Sequence, residues 1–364
     1  MLLNLPSASS PNVGRHRRGW VKWPSPFPVE CSQKEHETEL GFSLSSEEHR
    51  PNALVEQARR AEEVGFGFAL ISDHFHPWLD QQGQSPFVWA VLGGIARETS
   101  SLRVGTGVTC PLIRVHPAIV AQAAATCGDM YEGRFFLGLG TGERLNEHVL
   151  GERWPTAGER REMLEEAIEV IRMLWEGGTQ SHRGRYYRVE QARIYTLPQP
   201  APPIYVAGVG RATASLAGRL ADGLISIQPS AELVGAFSGA GGGQKPRLGQ
   251  LTVCWAASEE EARGIAGKWW PNAALPGVLN SELSTPSQFE AAAALVSQEM
   301  MDEKLVLGPD PERHLAAIEE FERAGFDHVY VHQVGPDQEG FFRFYEREVL
   351  PSVGTGSGRQ TAGA

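Results

Sequence analysis

One short segment of the chain, residues 71–78, reads Ile-Ser-Asp-His-Phe-His-Pro-Trp and holds an acid, an imidazole and an indole close together. Histidine titrates near neutrality without a large perturbation, so His74 is a candidate general base. Asp73 is its charged neighbour, and Trp78 is a candidate wall over a flat ligand. The alternative is a solvated loop that opens a helix and carries no chemistry.

The segment follows Ala69–Ile71, which reads as a short buried strand. From residue 40 onward such runs alternate with helical patterns, which indicates parallel βα units. The predicted strands lie at 40–44, 68–72, 102–109, 135–139, 204–207, 223–227, 251–255 and 328–332. This number of strands favours a closed (β/α)8 TIM barrel over an open doubly wound sheet.

We expect one α/β barrel domain over residues 39–352, with insertions in the loops at the carboxyl ends of the strands. The longest connections are residues 144–203 and 256–303. Residues 1–38 are predicted to be a flexible N-terminal extension, and residues 353–364 a disordered tail.

Composition limits the classes of partner. The formal net charge of −11 argues against nucleic acid and gives no support for an anionic membrane. No run of about 18 apolar residues predicts a membrane helix. The four cysteines, Cys31, Cys110, Cys127 and Cys254, are too far apart in the chain to suggest a metal site or a disulfide framework, which favours a cytoplasmic protein. We expect its substrate to be a small molecule.

In a barrel, the carboxyl ends of the strands meet at one mouth. The first strand contributes Glu47 there, the third contributes the segment 105–111, and the fourth contributes the segment 138–143, which ends in Glu143 and is followed by Asn146. Glycines in the last two segments permit close approach of a ligand to the backbone, although plain turn chemistry is the alternative.

A further glycine-containing segment, Gly208-Val209-Gly210, lies between a predicted strand and a predicted helix. Its free amide groups could bind an anion. The glycine spacing does not match a dinucleotide-binding fingerprint, so a phosphate on a flavin-like cofactor fits better. A tight βα turn is the alternative. Four other histidines are predicted to be structural or on the surface: His116, His148, His328 and His332.

Taken in order along the chain, four segments resemble the F420-dependent glucose-6-phosphate dehydrogenase group of the luciferase-like superfamily. They are residues 72–78, 117–122, 136–147 and 217–223, and the resemblance covers about residues 38–352. It implies a (β/α)8 barrel that binds coenzyme F420 and forms a homodimer through outer helices.

The resemblance also implies catalytic roles. His74 would take the substrate hydroxyl proton as a hydride leaves for C5 of F420. Trp78 would flank the ring, Glu143 would supply or hold a proton near it, and Glu47 matches a further acid of the pocket.

The cofactor contacts that the resemblance implies begin with Asp73 and Asn146. The third strand would end in a bulge behind the ring, with a non-prolyl cis peptide at Gly107-Val108. The remaining predicted cofactor-binding residues are Cys110, Gly208, Val209 and Gly210.

The chain departs from the group where two lysines and an arginine bind the substrate phosphate. The loop Gln228-Pro229-Ser230 replaces the first lysine, Asn280 the second, and Lys304 the arginine. We therefore expect the substrate to be a non-phosphorylated hydroxyl compound rather than glucose 6-phosphate. The hydride could be transferred in either direction, from the hydroxyl compound or to the matching carbonyl compound. The alternatives are an FMN-dependent monooxygenase and a deazaflavin-binding barrel without turnover.

Overall fold

The computed structural model describes residues 38–353. The predicted extension at 1–38 and the predicted tail at 353–364 therefore lie, apart from one residue each, outside the described residues. The strands are β1 (Glu39–Leu44), β2 (Phe68–Ile71), β3 (Arg103–Thr106), β4 (Phe135–Leu139), β5 (Gln180–Arg183), β6 (Arg188–Ala192), β7 (Ile204–Ala207), β8 (Gly223–Ser226), β9 (Arg247–Cys254), β10 (Val306–Leu307) and β11 (His328–Gln333).

The α-helices pack mainly around this sheet and in its connecting loops. They are α1 (Pro51–Val64), α2 (Val88–Glu98), α3 (Pro117–Met130), α4 (Arg144–Glu147), α5 (Ala157–Trp175), α6 (Arg211–Leu220), α7 (Ala231–Phe237), α8 (Glu259–Trp269), α9 (Gly277–Glu282), α10 (Pro286–Ala293), α11 (Gln298–Asp302), α12 (Pro311–Ala324) and α13 (Gln338–Phe344). In the part of the chain that the structure describes, no helix is long and apolar enough to cross a membrane.

The main sheet closes on itself. Its parallel strands follow the order β1, β2, β3, β4, β7, β8, β9 and β11, and β11 pairs with β1 to complete the ring. The short β10 adds to the end of β9, and β5 with β6 forms a separate antiparallel hairpin. The prediction of a (β/α)8 TIM barrel is confirmed.

Large side chains fill the inside of the barrel because glycines on neighbouring strands leave room for them. A Cβ on Gly41 would lie 2.5 Å from the ring of Phe68, and one on Gly105 would lie 2.2 Å from the ring of Phe136. Both rings are fully buried. The interior is therefore a packed core, and a ligand can only bind at its mouth.

Helix α1 shows how the outer layer forms. It begins with Pro51 in its first turn and ends at Gly65, whose φ of 104° is the left-handed conformation that glycine adopts readily. Its buried side includes Leu54, Ala58 and Ala61, which face the strands. Apolar residues at this spacing form one stripe of a helix, so the helix packs onto the sheet.

Two strands differ from their predicted bounds by more than one residue at an end. The predicted strand at 251–255 is wrong at its start, because β9 already begins at Arg247 and includes Gly249. Glycine is normally unfavourable inside a strand, but a Cβ here would lie 2.2 Å from Phe321. The predicted strand at 102–109 is also too long: β3 ends at Thr106, and Thr109 forms only an isolated bridge to Leu139.

Candidate active site

The loops that follow β1 and β2 bring a carboxylate and an imidazole into contact at the barrel mouth. Glu47 Oε1 lies 3.2 Å from His74 Nδ1, and the two side chains are 3% and 10% exposed. Ser72 and Ser45 donate to Glu47 Oε2 at 2.7 Å and 3.1 Å. Because an ionised carboxylate only accepts hydrogen bonds, Nδ1 of His74 is the donor in this contact, and in the neutral ring the lone pair is then on Nε2. The contact with Glu47 fixes the orientation of the imidazole ring.

The surroundings of Glu47 keep it ionised. Burial alone would raise the pKa of Glu47, but the facing His74 and the hydrogen bond from Ser72 lower that pKa below its ordinary value. Glu47 is therefore negatively charged at neutral pH. It can stabilise a positive charge that develops on His74.

Trp78 lies against His74. The two ring centroids are 4.9 Å apart in an edge-to-face arrangement, and Phe289 packs against Trp78 with a centroid distance of 5.1 Å. Gln82 fixes the backbone here, because its Oε1 accepts from Trp78 N at 2.9 Å and its Nε2 donates to Trp269 O at 2.9 Å. The indole is thus held by two separate loops.

Asp73 is buried, and both of its carboxylate oxygens are engaged. Thr109 Oγ1 donates to Oδ2 at 2.7 Å, and Arg114 Nη2 donates to Oδ1 at 2.9 Å. Arg114 also contacts the fully buried Glu147, at 3.5 Å through Nε and at 2.9 Å through its backbone amide. Arg114 therefore balances the charge of two acids.

No group of His, Cys, Asp or Glu in residues 38–353 is arranged to hold a metal ion.

Asn146 connects α4 to the loop that carries His74. Its Oδ1 accepts from Phe75 N at 2.9 Å and from His76 N at 3.1 Å. Its Nδ2 is buried and has no hydrogen-bond partner among the described residues. Because buried donors are nearly always paired, this amide is available to a bound ligand. Glu143, directly before α4, is partly exposed.

The ends of β3 and β4 lie side by side. The peptide bond between Gly107 and Val108 is cis, as the resemblance predicts. Thr109 N donates to Gly138 O at 2.9 Å, and Gly140 N donates to Thr109 O at 3.0 Å. Together these contacts place the predicted segments 105–111 and 138–143 next to each other.

Cys110 is buried beside this junction. Burial raises the pKa of its thiol well above the ordinary value, and the charge of Glu147 acts in the same direction. The thiol therefore stays protonated, and we assign it to packing rather than to nucleophilic chemistry.

The segment from Gly208 to Gly210 precedes α6 at the same end of the barrel. Val209 is 57% exposed, and Gly210 provides no side-chain cap for the helix. Gly208 N donates to Ile225 O at 3.0 Å and Thr213 N donates to Gly210 O at 3.1 Å, so the amides between these two are the ones that an anion could contact.

The three positions predicted to surround a substrate phosphate have different settings. Asn280 lies in α9, which packs against α4, and its Oδ1 is buried without a partner among the described residues. Lys304 is exposed before β10, and its side chain makes no hydrogen bond or ion pair within residues 38–353. The segment Gln228–Ser230 lies beyond β8 and is largely exposed.

Sequence reasoning missed Gln82, Arg114 and Glu147. A charged residue soon after the strand-end segment 105–111, and an acid directly after Asn146, were the available signals. His332 was predicted to be structural or on the surface. It is 2% exposed and pairs with Glu48 at the barrel mouth.

Residues 36–328 match the family model for luciferase-like monooxygenase. An F420-dependent glucose-6-phosphate dehydrogenase of Microbacterium testaceum is 34% identical over 86% of this chain and 97% of its own. An F420-dependent hydroxymycolic acid dehydrogenase of Mycobacterium tuberculosis is 36% identical over 91% of each chain.

A solved structure is also similar. An F420-dependent secondary alcohol dehydrogenase in complex with an F420-acetone adduct superimposes with a TM-score of 0.80 at 30% identity, over 86% of this chain and 98% of that one. The fold, the family model and the coverage of these relatives agree. The chain therefore belongs to the luciferase-like family, in the group that contains the F420-dependent glucose-6-phosphate dehydrogenases.

Proposed function

We propose that the chain is an F420-dependent oxidoreductase that transfers a hydride between a hydroxyl-bearing substrate and C5 of the deazaflavin, with His74 as the base. The observation that carries this proposal is the contact between Glu47 and Nδ1 of His74 at the barrel mouth, which leaves Nε2 without a hydrogen bond among the described residues. The similar dehydrogenases named above support the cofactor and the reaction class.

The residues around the mouth fit a deazaflavin. Asn146 Nδ2 is a buried donor without a partner among the described residues, and the amides between Gly208 and Thr213 suit a phosphate. Asp73 and the segment Gly107–Cys110 would lie at the ring. When bound, F420 supplies the hydride chemistry at C5, while the protein orients the reactants.

Side chains of the protein would carry out the acid–base steps. His74 Nε2 would remove the proton of the substrate hydroxyl, and Glu47 would stabilise the imidazolium that results. Trp78 would shield this charge from water, and its aromatic ring favours a neighbouring cation. Glu143 would hold a proton at its carboxyl group. In the opposite direction, the imidazolium of His74 would protonate a carbonyl oxygen.

The substrate is proposed to lack a phosphate. Three charged groups bind the phosphate in the group that the chain resembles, and only Lys304 remains as a basic residue at those positions. A missing hydrogen bond to a charged group costs about 1.5 to 3 kcal/mol, so the loss of two would weaken phosphate binding strongly. A non-phosphorylated alcohol or sugar fits the remaining side chains better.

An absorbance assay tests the function. Purified protein is mixed with oxidised F420 and a panel of alcohols and sugar phosphates, and the band of oxidised F420 is followed. We expect the band to decrease with a non-phosphorylated alcohol and to persist in His74→Ala. F420 binding without reduction by any alcohol would favour a barrel without turnover, whereas tight FMN binding with no response to F420 would favour a monooxygenase.

The assembly and location are part of the proposal. The resemblance predicts a homodimer packed through outer helices, which light scattering during gel filtration tests. The described cysteines, Cys110, Cys127 and Cys254, are free thiols, which supports a cytoplasmic location.

A further inference from the structure

A second carboxylate–imidazole pair lies beside the first. Glu48 follows Glu47 in the chain, and its Oε2 lies 3.2 Å from His332 Nε2, with both side chains 2% exposed. Glu48 Oε1 accepts from Gly335 N at 3.1 Å. Because His332 lies near the carboxyl end of β11, it belongs to the same end of the barrel as His74.

Trp270 covers His332 much as Trp78 covers His74. The ring centroids of Trp270 and His332 are 4.5 Å apart in an edge-to-face arrangement. The two tryptophan segments are joined through Gln82, which binds the backbone of both. The carboxylates of the two pairs belong to consecutive residues of one loop, Glu47 and Glu48, which face His74 and His332 at 3.2 Å each. The two pairs therefore form one site.

Nδ1 of His332 is buried and has no hydrogen-bond partner among the described residues. Nε2 donates to the carboxylate of Glu48, and in the neutral tautomer that makes this bond Nδ1 is the acceptor. Buried polar atoms rarely stay unpaired, and this one lies in a mouth that must receive a substrate. The atom therefore calls for a hydrogen-bond donor on the ligand.

The charges around His332 determine which kind of ligand group can donate to Nδ1. Glu47 and Glu48 place two carboxylates close to the imidazoles, and the loop Gln228–Ser230 adds no positive charge. An anionic group would be repelled by the carboxylates, whereas a neutral hydroxyl group can donate to Nδ1 without such a cost.

We propose that His332 binds a second hydroxyl group of the substrate, so that the site selects neutral diols or polyols over alcohols with a single hydroxyl group. This inference rests on the proposed function, in which the reacting hydroxyl group faces His74. His332 then acts as a specificity residue, because it contacts an oxygen that does not react.

The test compares two ligands that differ by one hydroxyl group, trans-1,2-cyclohexanediol and cyclohexanol. Their dissociation constants are obtained from thermal-shift titrations of the full chain, both alone and with reduced F420, which cannot accept a hydride. We expect the wild type to bind the diol about tenfold more tightly, as one net hydrogen bond allows. In His332→Gln, which keeps a polar group toward Glu48 but loses Nδ1, this preference should disappear.

Two further variants distinguish the loss of the hydrogen bond to Nδ1 from a general disturbance of the fold. His332→Asn keeps a polar atom near the position of Nδ1 and should retain part of the preference. His182→Gln alters a similar pair, since His182 Nε2 lies 3.2 Å from Glu166 Oε1 outside the barrel sheet, and should retain all of it. An equal preference in the wild type and in His332→Gln, or no preference in the wild type, would overturn the inference.

The outcome is independent of the proposed reaction. If the wild type never reduces F420, the proposed function fails, but the ratio of the two dissociation constants still tests His332. Where turnover is observed, His332→Gln should raise the KM of the diol about tenfold more than the KM of cyclohexanol. His74→Ala should abolish F420 reduction and keep the preference for the diol in binding.

Discussion

His74 Nδ1 and Glu47 Oε1 lie 3.2 Å apart in a place where both side chains are almost completely removed from solvent. A base that gains a proton in such a setting needs a counter-charge, because water cannot screen the new charge. Glu47 provides it, and Ser45 and Ser72 hold the carboxylate in place. In the proposed reaction, the pair would therefore be ready for proton transfer before a substrate binds.

The first prediction concerns the charge of Glu47. In Glu47→Gln the shape is kept but the counter-charge is lost, so the imidazolium of His74 is less stable and the base is weaker. We expect kcat/KM for F420 reduction by an alcohol to fall roughly 100-fold, the usual worth of positioned acid–base catalysis. The measurement is the initial rate of loss of the oxidised F420 band, with F420 affinity determined separately by fluorescence.

Glu166→Gln is the matched control for this prediction. Glu166 on α5 pairs with His182 of the β5–β6 hairpin at the same distance, 3.2 Å. The kcat/KM of Glu166→Gln should equal that of the wild type. Activity of Glu47→Gln within threefold of this control would show that the carboxylate of Glu47 does not assist His74.

The second prediction concerns the free donor of Asn146. Asn146→Asp keeps an oxygen for the amides of Phe75 and His76 but replaces Nδ2 by an acceptor. If Nδ2 donates to the cofactor, the dissociation constant of F420 should rise about tenfold or more. Fluorescence titration measures it. A dissociation constant equal to that of the wild type would remove Asn146 from the proposed cofactor site.

The sequence predicted the neighbourhood of the site better than its pairings. The segments containing Glu47 and His74 follow two strands, and parallel strands in a barrel place such segments at one mouth. The partner of Glu48, in contrast, lies 284 residues further along the chain, at His332. Which imidazole meets which carboxylate depends on the ring order of the strands and on side-chain packing, and neither is encoded in a local pattern.

The same limit applies to the buried arginine. Residue types and spacing gave no reason to connect Arg114 to both Asp73 and Glu147, because the three follow different strands of the barrel. The bounds of β9 were missed for a related reason, since Gly249 weakens the local strand pattern and is explained only by its contact with Phe321. Local patterns thus predict elements, while long-range contacts decide partners.

The third prediction concerns Arg114. Its removal in Arg114→Met leaves Asp73 and Glu147 as buried acids without their counter-charge, and breaking a buried pair in this way costs about 3 to 5 kcal/mol. Burial already raises the pKa of Glu147 despite the hydrogen bond and charge of Arg114. We expect the free energy of unfolding in urea to fall by that amount and to recover partly in Arg114→Met/Glu147→Gln.

Arg153→Met provides the comparison, because Arg153 pairs with Glu159 on the surface, where its side chain is 69% exposed. Its urea midpoint should match that of the wild type. A double variant no more stable than Arg114→Met would contradict the idea that the unpaired charge of Glu147 causes the loss.

The fourth prediction concerns the pH dependence of stability through His314. This side chain is fully buried on α12, where Nε2 donates to Gly308 O at 3.0 Å and Nδ1 accepts from the Tyr345 hydroxyl at 2.9 Å. Burial, aided by the charge of Arg313, lowers the pKa of His314 from 6.5 to about 4. The folded protein therefore holds this histidine in its neutral form.

The sign follows from proton binding. Between pH 6.5 and about 4 the unfolded chain binds a proton that the folded chain does not. The contribution of His314 to the free energy of unfolding is thus complete above pH 6.5 and decreases as the pH falls. At a pH of about 4 it is smaller by about 3 kcal/mol. Urea unfolding across this range should show a smaller decrease for His314→Gln than for the wild type. Parallel pH profiles for the two proteins would instead assign the acid sensitivity to other groups, because Gln cannot take up the proton.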